Sequence, residues 1–296
     1  MPTCGWVESP KPLASGGKLA RPPLPCSSMS TSSVTLKPLA DTLALTLCVH
    51  DERDRFVSQR LREEGIWEPF ETELVLAALA PGDVFIDAGA NIGYFSILAA
   101  ARVGGAGEVF AFEPDPANAA LLRKSARLNG MASVITVVEA ALAQEEGTAA
   151  LYLSDDNLGD HQLFSSGEER ASVDVAKRNG AAYLRERVTD IAMVKVDTQG
   201  FEFEVLAGLL PLLLELPRVP RLLVELTPYS LAQAGASGRA LVELLATLGE
   251  PMWIVDHIEH RLVASDAEAL ATWCDNVAAT EGDQGFMNIL VGPEVP

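Results

Sequence analysis

From residue 84 onward, short runs of apolar residues alternate with longer stretches in which apolar residues recur every three or four positions. The short runs predict strands, and the longer stretches predict amphipathic helices. The predicted strands span 84–87, 108–113, 134–140, 192–197, 221–226, 252–256 and 286–292. The predicted helices span 92–103, 117–130, 201–216 and 237–249. Apolar strands that alternate with helices indicate an α/β fold, with a mostly parallel sheet and helices on both faces.

The chain divides into three predicted parts. Residues 1–35 are rich in Pro, Ser and Gly and have no apolar period, so we expect a disordered tail that is not a secretory signal. Residues 36–80 predict an extended segment and two helices that lead into the domain. Residues 81–296 predict the domain itself. Within it, the polar and short-stranded stretch 147–190 indicates an insertion or a substrate-facing segment.

Charge and composition exclude several classes of partner. The 296 residues carry a net charge of −19, from 22 Lys and Arg against 41 Asp and Glu. Because nucleic-acid binding depends on cationic side chains that neutralise phosphates, we expect neither a nucleic acid nor an anionic membrane surface as a partner. No apolar run approaches the roughly 20 residues of a membrane span. The four cysteines form no C-x-x-C pair, which predicts a reducing, cytoplasmic location and no metal site.

The strongest chemical motif is V-F-I-D-A-G-A-N-I-G-Y, at residues 84–94. A strand ends in Asp87, a turn with Gly89 and Gly93 follows, and a helix begins within that turn. The glycines allow tight turning and close approach of a ligand, and the helix N-terminus offers free N–H groups. Asn91 stands where the dinucleotide fingerprint has its second glycine, which disfavours NAD. An acidic residue that opens the loop suits a cationic amino or sulfonium group better than a diphosphate.

Two later strand ends extend this site. Glu113 ends the next strand, where an acidic residue can bind two ribose hydroxyls. The strand after it ends at Glu139 and Ala140, near the expected position of an adenine. Taken singly, these features also fit a helix cap, a turn or a solvated strand end. Because ligands of open α/β sheets bind at the carboxyl ends of strands, the set predicts a nucleoside pocket without a phosphate site. S-adenosylmethionine is such a ligand.

These stretches together resemble the FkbM-type S-adenosylmethionine-dependent methyltransferases. The resemblance covers roughly residues 60–295 and rests on residues 82–100, 107–130, 156–164, 193–208 and 222–228, with a lead-in helix at 65–79. It implies a class I methyltransferase, Rossmann-like fold, with a mostly parallel seven-stranded sheet and a reversed last hairpin. It also implies O-methylation of a hydroxyl or carboxyl group on a small molecule or glycan.

By position, the resemblance assigns the cofactor loop to Asp87, Ala88, Gly89, Ala90, Asn91 and Gly93, the ribose contact to Glu113, and the adenine side to Glu139 and Ala140. Many family members have Glu-Gly where this chain has Gln199-Gly200. An acid role at position 199 is therefore out of reach here.

The catalytic candidates are polar residues expected near the site of methyl transfer. A general base helps a hydroxyl acceptor, and the candidates for it are His161, Asp197, Glu202 and Glu225. Asp197 is best placed, at a strand carboxyl end, although it fits equally well as the cap of the helix from Gly200. His161 fits a base, a hydrogen-bond donor to the substrate or an exposed loop residue. The sequence thus assigns catalysis to Asp197 and His161.

Two other functions stay open on the sequence alone. One is an NAD-dependent oxidoreductase on a similar sheet, which the missing glycine pattern disfavours. The other is a non-catalytic module that uses the same fold to bind a partner, against which the intact Asp87–Gly93 loop argues weakly. His257 and His260 predict a solvated hairpin rather than a metal site. The acceptor and the oligomeric state are not readable from these residues.

Overall fold

A large eight-stranded sheet organises the protein. The computed structural model describes residues 32–39, 43–165 and 170–295. Its strands are β1 Ser32–Leu36, β2 Leu45–Val49, β3 Val84–Ala88, β4 Glu108–Phe112, β5 Ile135–Val138, β6 Ala141–Ala143, β7 Gly147–Tyr152, β8 Ser172–Asn179, β9 Met193–Val196, β10 Arg221–Leu226, β11 Met252–Asp256, β12 Arg261–Ser265 and β13 Met287–Val291. Its α-helices are α1 Val57–Glu64, α2 Pro69–Ala78, α3 Tyr94–Val103, α4 Pro116–Leu128, α5 Gly180–Leu184, α6 Glu202–Glu215, α7 Pro228–Gln233, α8 Gly238–Ala246 and α9 Ala267–Ala279. A short 3-10 helix spans Gly104–Ala106.

The large sheet has the strand order β12-β11-β13-β10-β9-β3-β4-β5. Strands β5, β4, β3, β9 and β10 are parallel, whereas β13 runs antiparallel between β10 and β11. The predicted class I methyltransferase fold, with its reversed last hairpin, is confirmed, but the sheet has eight strands instead of seven. The additional strand β12 pairs with β11 at the edge of the sheet. Its residues are mostly exposed, so it lacks the apolar run by which the other strands were predicted.

Successive residues of the central strands belong to two different cores, because a strand points its side chains alternately to opposite faces. Phe85 and Met193 pack with α1 to α4. Ile86 and Val194 pack with α5 to α9 on the other face. Helices therefore cover both faces, as predicted.

The face covered by α1 to α4 becomes polar toward the carboxyl ends of the strands. Asp87 on β3 lies opposite Lys195 on β9, and Glu225 on β10 lies opposite Asn288 on β13. These positions continue the alternation of Phe85 and Met193 and so point to the same face. A row of ionisable groups consequently lies between the sheet and the helices, next to the end where ligands of such sheets bind.

The polar stretch predicted at 147–190 contains most of a small sheet with the order β6-β8-β7. Strands β7 and β8 are antiparallel, and β6 is parallel to β8. Helix α5 follows within the same stretch. The segment 153–165, between β7 and β8, returns to the end of the large sheet and is called the cover segment below.

The N-terminal boundary differs from the prediction. Residues 1–31 of the expected disordered tail lie outside the described residues. Residues 32–35 belong to β1, which pairs antiparallel with β2 and buries Leu36 completely. The predicted boundary at residue 35 is therefore wrong by four residues, because the partner strand supplies hydrogen bonds that a tail composition does not reveal.

Helix α9 was not predicted, although its sequence carries a helix signal. The Asp266 side chain caps the helix by accepting the N–H of Ala269. Leu270, Cys274 and Val277 recur at helical spacing and are buried. None of the helices within the described ranges is long and apolar enough to cross a lipid bilayer.

We expect Gly89→Ala to destabilise the fold much more than Gly82→Ala. Both glycines have left-handed φ angles, +82° and +91° respectively, so both variants share the backbone penalty of about 1–2 kcal/mol. A Cβ on Gly89 would lie 1.9 Å from the carbonyl oxygen of Asp197, whereas a Cβ on Gly82 would meet nothing within 4 Å. Urea unfolding should show a loss of at least about 3 kcal/mol for Gly89→Ala. Equal losses in the two variants would contradict this contact.

Candidate active site

A cleft of about 520 Å³, counting its opening to solvent, lies at the carboxyl ends of the parallel strands. The loops after β3, β4 and β9 and the cover segment form its walls. The lining residues are Gly89, Asn91, Phe112, Glu113, Pro114, Asn118, Ala141, Leu142, Leu151, Leu158, Gly159, His161, Leu163, Asp197, Thr198, Gln199 and Phe201.

The charge of this lining distinguishes between ligand classes. It contains two carboxylates, Glu113 and Asp197, and among the described residues that line it there is neither a Lys nor an Arg. A diphosphate would therefore lack a cationic partner, while a cationic group would find one of opposite charge.

The loop after β3 is shaped by contacts within the protein. Asn91 has a left-handed φ of +51°, and its N–H donates to Glu113 Oε2 at 2.7 Å. A Cβ on Gly93 would lie 2.1 Å from the Leu122 side chain, so this glycine permits the packing of α3 on α4. Gly89 similarly admits the backbone of Asp197. The two glycines thus allow segments of the protein to pack closely against each other. The sequence had suggested that they allow a ligand to approach the backbone.

Glu113 is placed as the sequence predicted, at the end of β4 and in the cleft wall. It is 5% exposed, and its carboxylate also accepts the N–H of Asp115 at 2.9 Å. The backbone N–H groups of Asn91 and Asp115 and the side chain of Asn118 hydrogen-bond to it and fix its orientation. Burial raises the pKa of Glu113 to about 8. A carboxyl group held in this way in the cleft wall suits the hydroxyls of a ribose.

Three other predicted loop residues lie beneath the cleft and do not line it. Asp87 is 1% exposed, accepts a hydrogen bond from Ser96 Oγ at 2.5 Å, and has its pKa raised by burial. Ala88 and Ala90 are buried in the cores on opposite faces of the sheet. The Asp87 side chain therefore supports the loop through Ser96, and its contact with the cofactor stays a prediction.

The residues predicted for the adenine side, Glu139 and Ala140, lie outside the cleft lining. Strand β5 ends at Val138, and the Glu139 carboxylate turns outward to an ion pair with Arg123 at 2.6 Å. Ala140 is buried, and neither residue lines the cleft. The apolar side chain of Leu142 lines it instead, because the chain passes the cleft only after this turn.

Asp197 lies at the β9 end of the cleft, which is formed by residues 197–199. Its Oδ2 accepts Lys195 Nζ at 2.8 Å, and its Oδ1 accepts Gln199 Nε2 at 2.8 Å. Burial favours a higher pKa, but Lys195 and these hydrogen bonds together lower the pKa of Asp197. An ionised, weakly basic carboxylate binds cations well and accepts protons poorly. Asp197 does not cap α6, whose first turn has no side-chain cap.

Glu202 holds the β9 end of the cleft in place. It is completely buried, and Oε1 accepts the N–H and the hydroxyl of Thr198 at 2.8 and 3.1 Å. Its Oε2 accepts the N–H of Gly200 at 3.0 Å. Burial raises the pKa of Glu202 to about 7. With its oxygens engaged by the loop, Glu202 is a structural anchor.

His161 lines the cleft as a hydrogen-bond donor. The backbone N–H of Ser154 donates to His161 Nδ1 at 3.0 Å. Because a backbone N–H can only donate, Nδ1 carries no proton and the neutral ring is protonated at Nε2. Burial lowers the pKa of His161, which favours this neutral form. Of the two chemical roles that the sequence left open, the geometry fits the donor and not the base.

The anchoring of the cover segment was not predicted. Asn118 Nδ2 donates to the carbonyl oxygen of Leu158 at 3.2 Å, and His50 Nε2 donates to Asn118 Oδ1 at 2.6 Å. Gly159 packs against the side-chain amide of Asn91. A Cβ added to Gly159 would lie 3.0 Å from Asn91 Nδ2. The polar stretch at 156–164 indicated this border of the site. Nothing in the sequence links it to His50 or Asn118.

The late histidines lie apart from the cleft. His257 and His260 occupy the turn between β11 and β12, as predicted, and the His260 ring stacks on Phe70 with 5.4 Å between ring centroids. Across the described parts of the chain, no group of three or more His, Cys, Asp or Glu side chains is arranged to hold a metal ion.

Comparison with known families assigns the chain. The model of the methyltransferase FkbM domain matches residues 87–250, which is more than half of the 296 residues. The chain belongs to the FkbM methyltransferase family. Its domain is a methyltransferase domain with S-adenosylmethionine as its cofactor, as the sequence predicted.

Relatives of this FkbM methyltransferase are distant. Methyltransferase sdnD of Sordaria araneosa is 29% identical over 163 residues, which are 45% of this chain and 62% of that relative. The chain thus matches less than two thirds of the relative's length. The FkbM methyltransferase of Methylobacillus flagellatus KT aligns with a TM-score of 0.40 and 15% identity, over 71% of this chain and 43% of that one. A SAM-dependent O-methyltransferase of Thermotoga maritima aligns with a TM-score of 0.40 and 12% identity, over 83% and 73%.

The cleft of this FkbM methyltransferase fits its cofactor. Glu113 is available to the ribose hydroxyls, and the apolar walls of Phe112, Leu142 and Leu158 suit an adenine. The ionised Asp197 at the β9 end would suit a positively charged sulfonium.

We expect the stability of the protein to fall as the pH rises from about 5.5 to about 8.5. Burial raises the pKa of Glu113 to about 8 and those of Glu202 and Glu68 to about 7, from ordinary values of 4.5. Within this window the folded state therefore binds more protons than the unfolded state, so the free energy of unfolding decreases with pH.

Urea midpoints at constant ionic strength measure this decrease. Glu113→Gln should show a flatter pH dependence than the wild type. Glu139→Gln removes the same charge from the surface and should keep the wild-type slope. If Glu113→Gln retained the full slope, the buried carboxyl would not be its source.

Proposed function

We propose that the protein methylates an oxygen atom, in a hydroxyl or carboxyl group of a small molecule or glycan, with S-adenosylmethionine as the methyl donor. The observation that carries the proposal is the cleft lining. It combines a ribose-type acid, Glu113, with an ionised carboxylate, Asp197, and its described residues include no cation for a phosphate.

The chemistry asks little of the protein beyond placement and proton transfer. The bound cofactor supplies an electrophilic methyl group on a sulfonium. Glu113 orients the ribose, Asp197 offers a matching charge, and the cover segment excludes water from the cleft. Transfer to a hydroxyl releases a proton, and a general base within hydrogen-bond reach assists that step. His161 Nε2–H gives the hydroxyl a hydrogen-bond donor, and Asp197 gives it a hydrogen-bond acceptor.

The same features support the expected partners and location. The net charge of −19 and the acidic cleft favour a small or glycan acceptor over a nucleic acid. Cys48 and Cys274 are buried free thiols, which is compatible with the reducing cytoplasm. A cytoplasmic location stays a prediction.

Calorimetric titration with S-adenosylhomocysteine and NAD⁺ tests the cofactor site. We expect micromolar affinity for the first and no detectable binding of the second, because a diphosphate lacks a partner in the cleft. Glu113→Ala should weaken S-adenosylhomocysteine binding at least tenfold, about 1.4 kcal/mol. Glu139→Ala, a carboxylate outside the cleft, should bind normally. Binding of NAD⁺ alone, or of neither ligand, would refute the proposal.

The methylated atom is identified by isotope transfer. The protein is incubated with S-adenosylmethionine labelled with ¹³C in its methyl group and with a panel of hydroxyl, carboxyl and amine acceptors. We expect the ¹³C NMR shift of the product to be that of a methyl bonded to oxygen, because the site offers a proton acceptor for a hydroxyl. A label found on nitrogen or carbon would contradict O-methylation.

A further inference from the structure

Asp197 and Glu225 are brought together by strand register and by one amide. Strands β9 and β10 are parallel and pair Val196 with Val224, so the next residues, Asp197 and Glu225, follow on adjacent strands and on the same face. Gln199 Nε2 donates to Asp197 Oδ1 at 2.8 Å and to Glu225 Oε2 at 3.0 Å. The Gln199 amide therefore bridges the two carboxyl groups.

The position of Gln199 is fixed by its loop. Its φ is +54°, in the left-handed region, and Glu202 holds the residues on both sides of it, Thr198 and Gly200. A Glu at this position would bring a third acid to the same point and would leave no hydrogen-bond donor between the two carboxyl groups. In this chain the amide is the neutral group that allows two carboxyls to approach.

The surroundings of this carboxyl pair are strongly acidic. The cation that faces Asp197 is Lys195 on β9. The other polar groups around the pair come from the neighbouring strands and helices. They are Asp87 on β3, Asn288 on β13, Glu68 and Glu71 at the start of α2, and Glu202 on α6. The Glu68 Oε2 atom is buried and has no hydrogen-bond partner among the described residues. This end of the cleft is consequently short of positive charge.

The two carboxyl groups differ in how readily they ionise. Burial, together with the charges of Asp197, Glu202 and Glu68, raises the pKa of Glu225 well above its usual value. A hydrogen bond from the Glu225 carboxyl contributes to the lowered pKa of Asp197. These opposite shifts favour an ionised Asp197 beside a protonated Glu225.

We propose that Gln199 positions Asp197 and Glu225 as a single proton-holding unit, which loses its proton when the positive charge of the cofactor binds beside it and then accepts the proton of the acceptor hydroxyl. The inference rests on the proposed function, since it requires the sulfonium at the β9 end of the cleft. Gln199 is a positioning residue, and the base is created by loading of the cofactor.

The proton and electron pairs balance over one cycle. One proton leaves the pair for solvent as the cation binds. In the reaction the carbon–sulfur bond breaks with its electron pair going to sulfur, a carbon–oxygen bond forms, and the acceptor O–H proton passes to the carboxylate pair. After the neutral thioether leaves, the pair still holds the proton of the acceptor. One cycle therefore yields the methylated acceptor, S-adenosylhomocysteine and one proton, which is the proton released to solvent when the cation bound.

Proton release on binding tests this unit without any acceptor. Titration of the protein in two buffers of different ionisation enthalpy gives the number of protons released by S-adenosylmethionine and by S-adenosylhomocysteine. Both ligands carry the same ribose and amino acid, so any contribution of Glu113 cancels in the difference. We expect the sulfonium ligand to release more protons, with a difference of up to about one near neutral pH.

The affinity ratio of the two ligands gives the same information by linkage. A cation favours the deprotonated pair, so the affinity for S-adenosylmethionine relative to S-adenosylhomocysteine should rise by up to about tenfold per pH unit below the pKa of the pair. This comparison uses the wild-type protein and needs no variant to fold.

Variants assign the proton to the pair. Glu225→Gln should abolish the difference in proton release, and Gln199→Glu should move the pH at which the affinity ratio changes to higher values, since it adds a third acid. Glu139→Gln is the surface control and should behave as the wild type. If both ligands bind the wild type with equal proton release, the inference is overturned while the proposed function stands. If neither ligand binds, both are overturned.

Discussion

The buried ion pair of Lys195 with Asp197 is the interaction on which the rest of the site depends. Lys195 is 5% exposed, and its ammonium lies 2.8 Å from Asp197 and 4.6 Å from the centre of the Phe95 ring. Burial alone would lower the pKa of Lys195, but the carboxylates of Asp197, Glu68 and Asp87 outweigh it and raise this pKa. Removal of such a cation would leave several buried acids without compensation.

Asp197 of this ion pair also lies where the two loops of the cleft meet. Asp197 contacts Lys195 through its side chain and Gly89 through its backbone carbonyl. The loop of the cofactor and the loop of the β9 end are therefore in direct van der Waals contact. A change in either loop moves the other, because neither has free space on the side where they meet.

The sequence was sufficient for the fold, and it located the end of the sheet at which the cleft lies. Apolar alternation identified the central strands, and Glu113 was found because it ends a strand. Sequence spacing does not reveal the turn that directs the Glu139 carboxylate to Arg123. The bridge from Gln199 to Glu225 was equally invisible. It depends on strand register and on a left-handed backbone angle, both of which tertiary packing determines.

The hydrogen bonds of His50 and Arg55 bear on where the working unit of this enzyme begins. The family domain matches from residue 87, but His50 holds Asn118, which holds the cover segment, and the N–H of Arg55 donates to the carbonyl oxygen of Asp156 in that segment at 2.9 Å. A fragment that begins at residue 87 would cut through the central strand β3 and would lack β2, α1 and α2. It would also lose the hydrogen bonds by which His50 and Arg55 hold the cover segment. The smallest fragment that keeps these bonds therefore has to include β2 and α1.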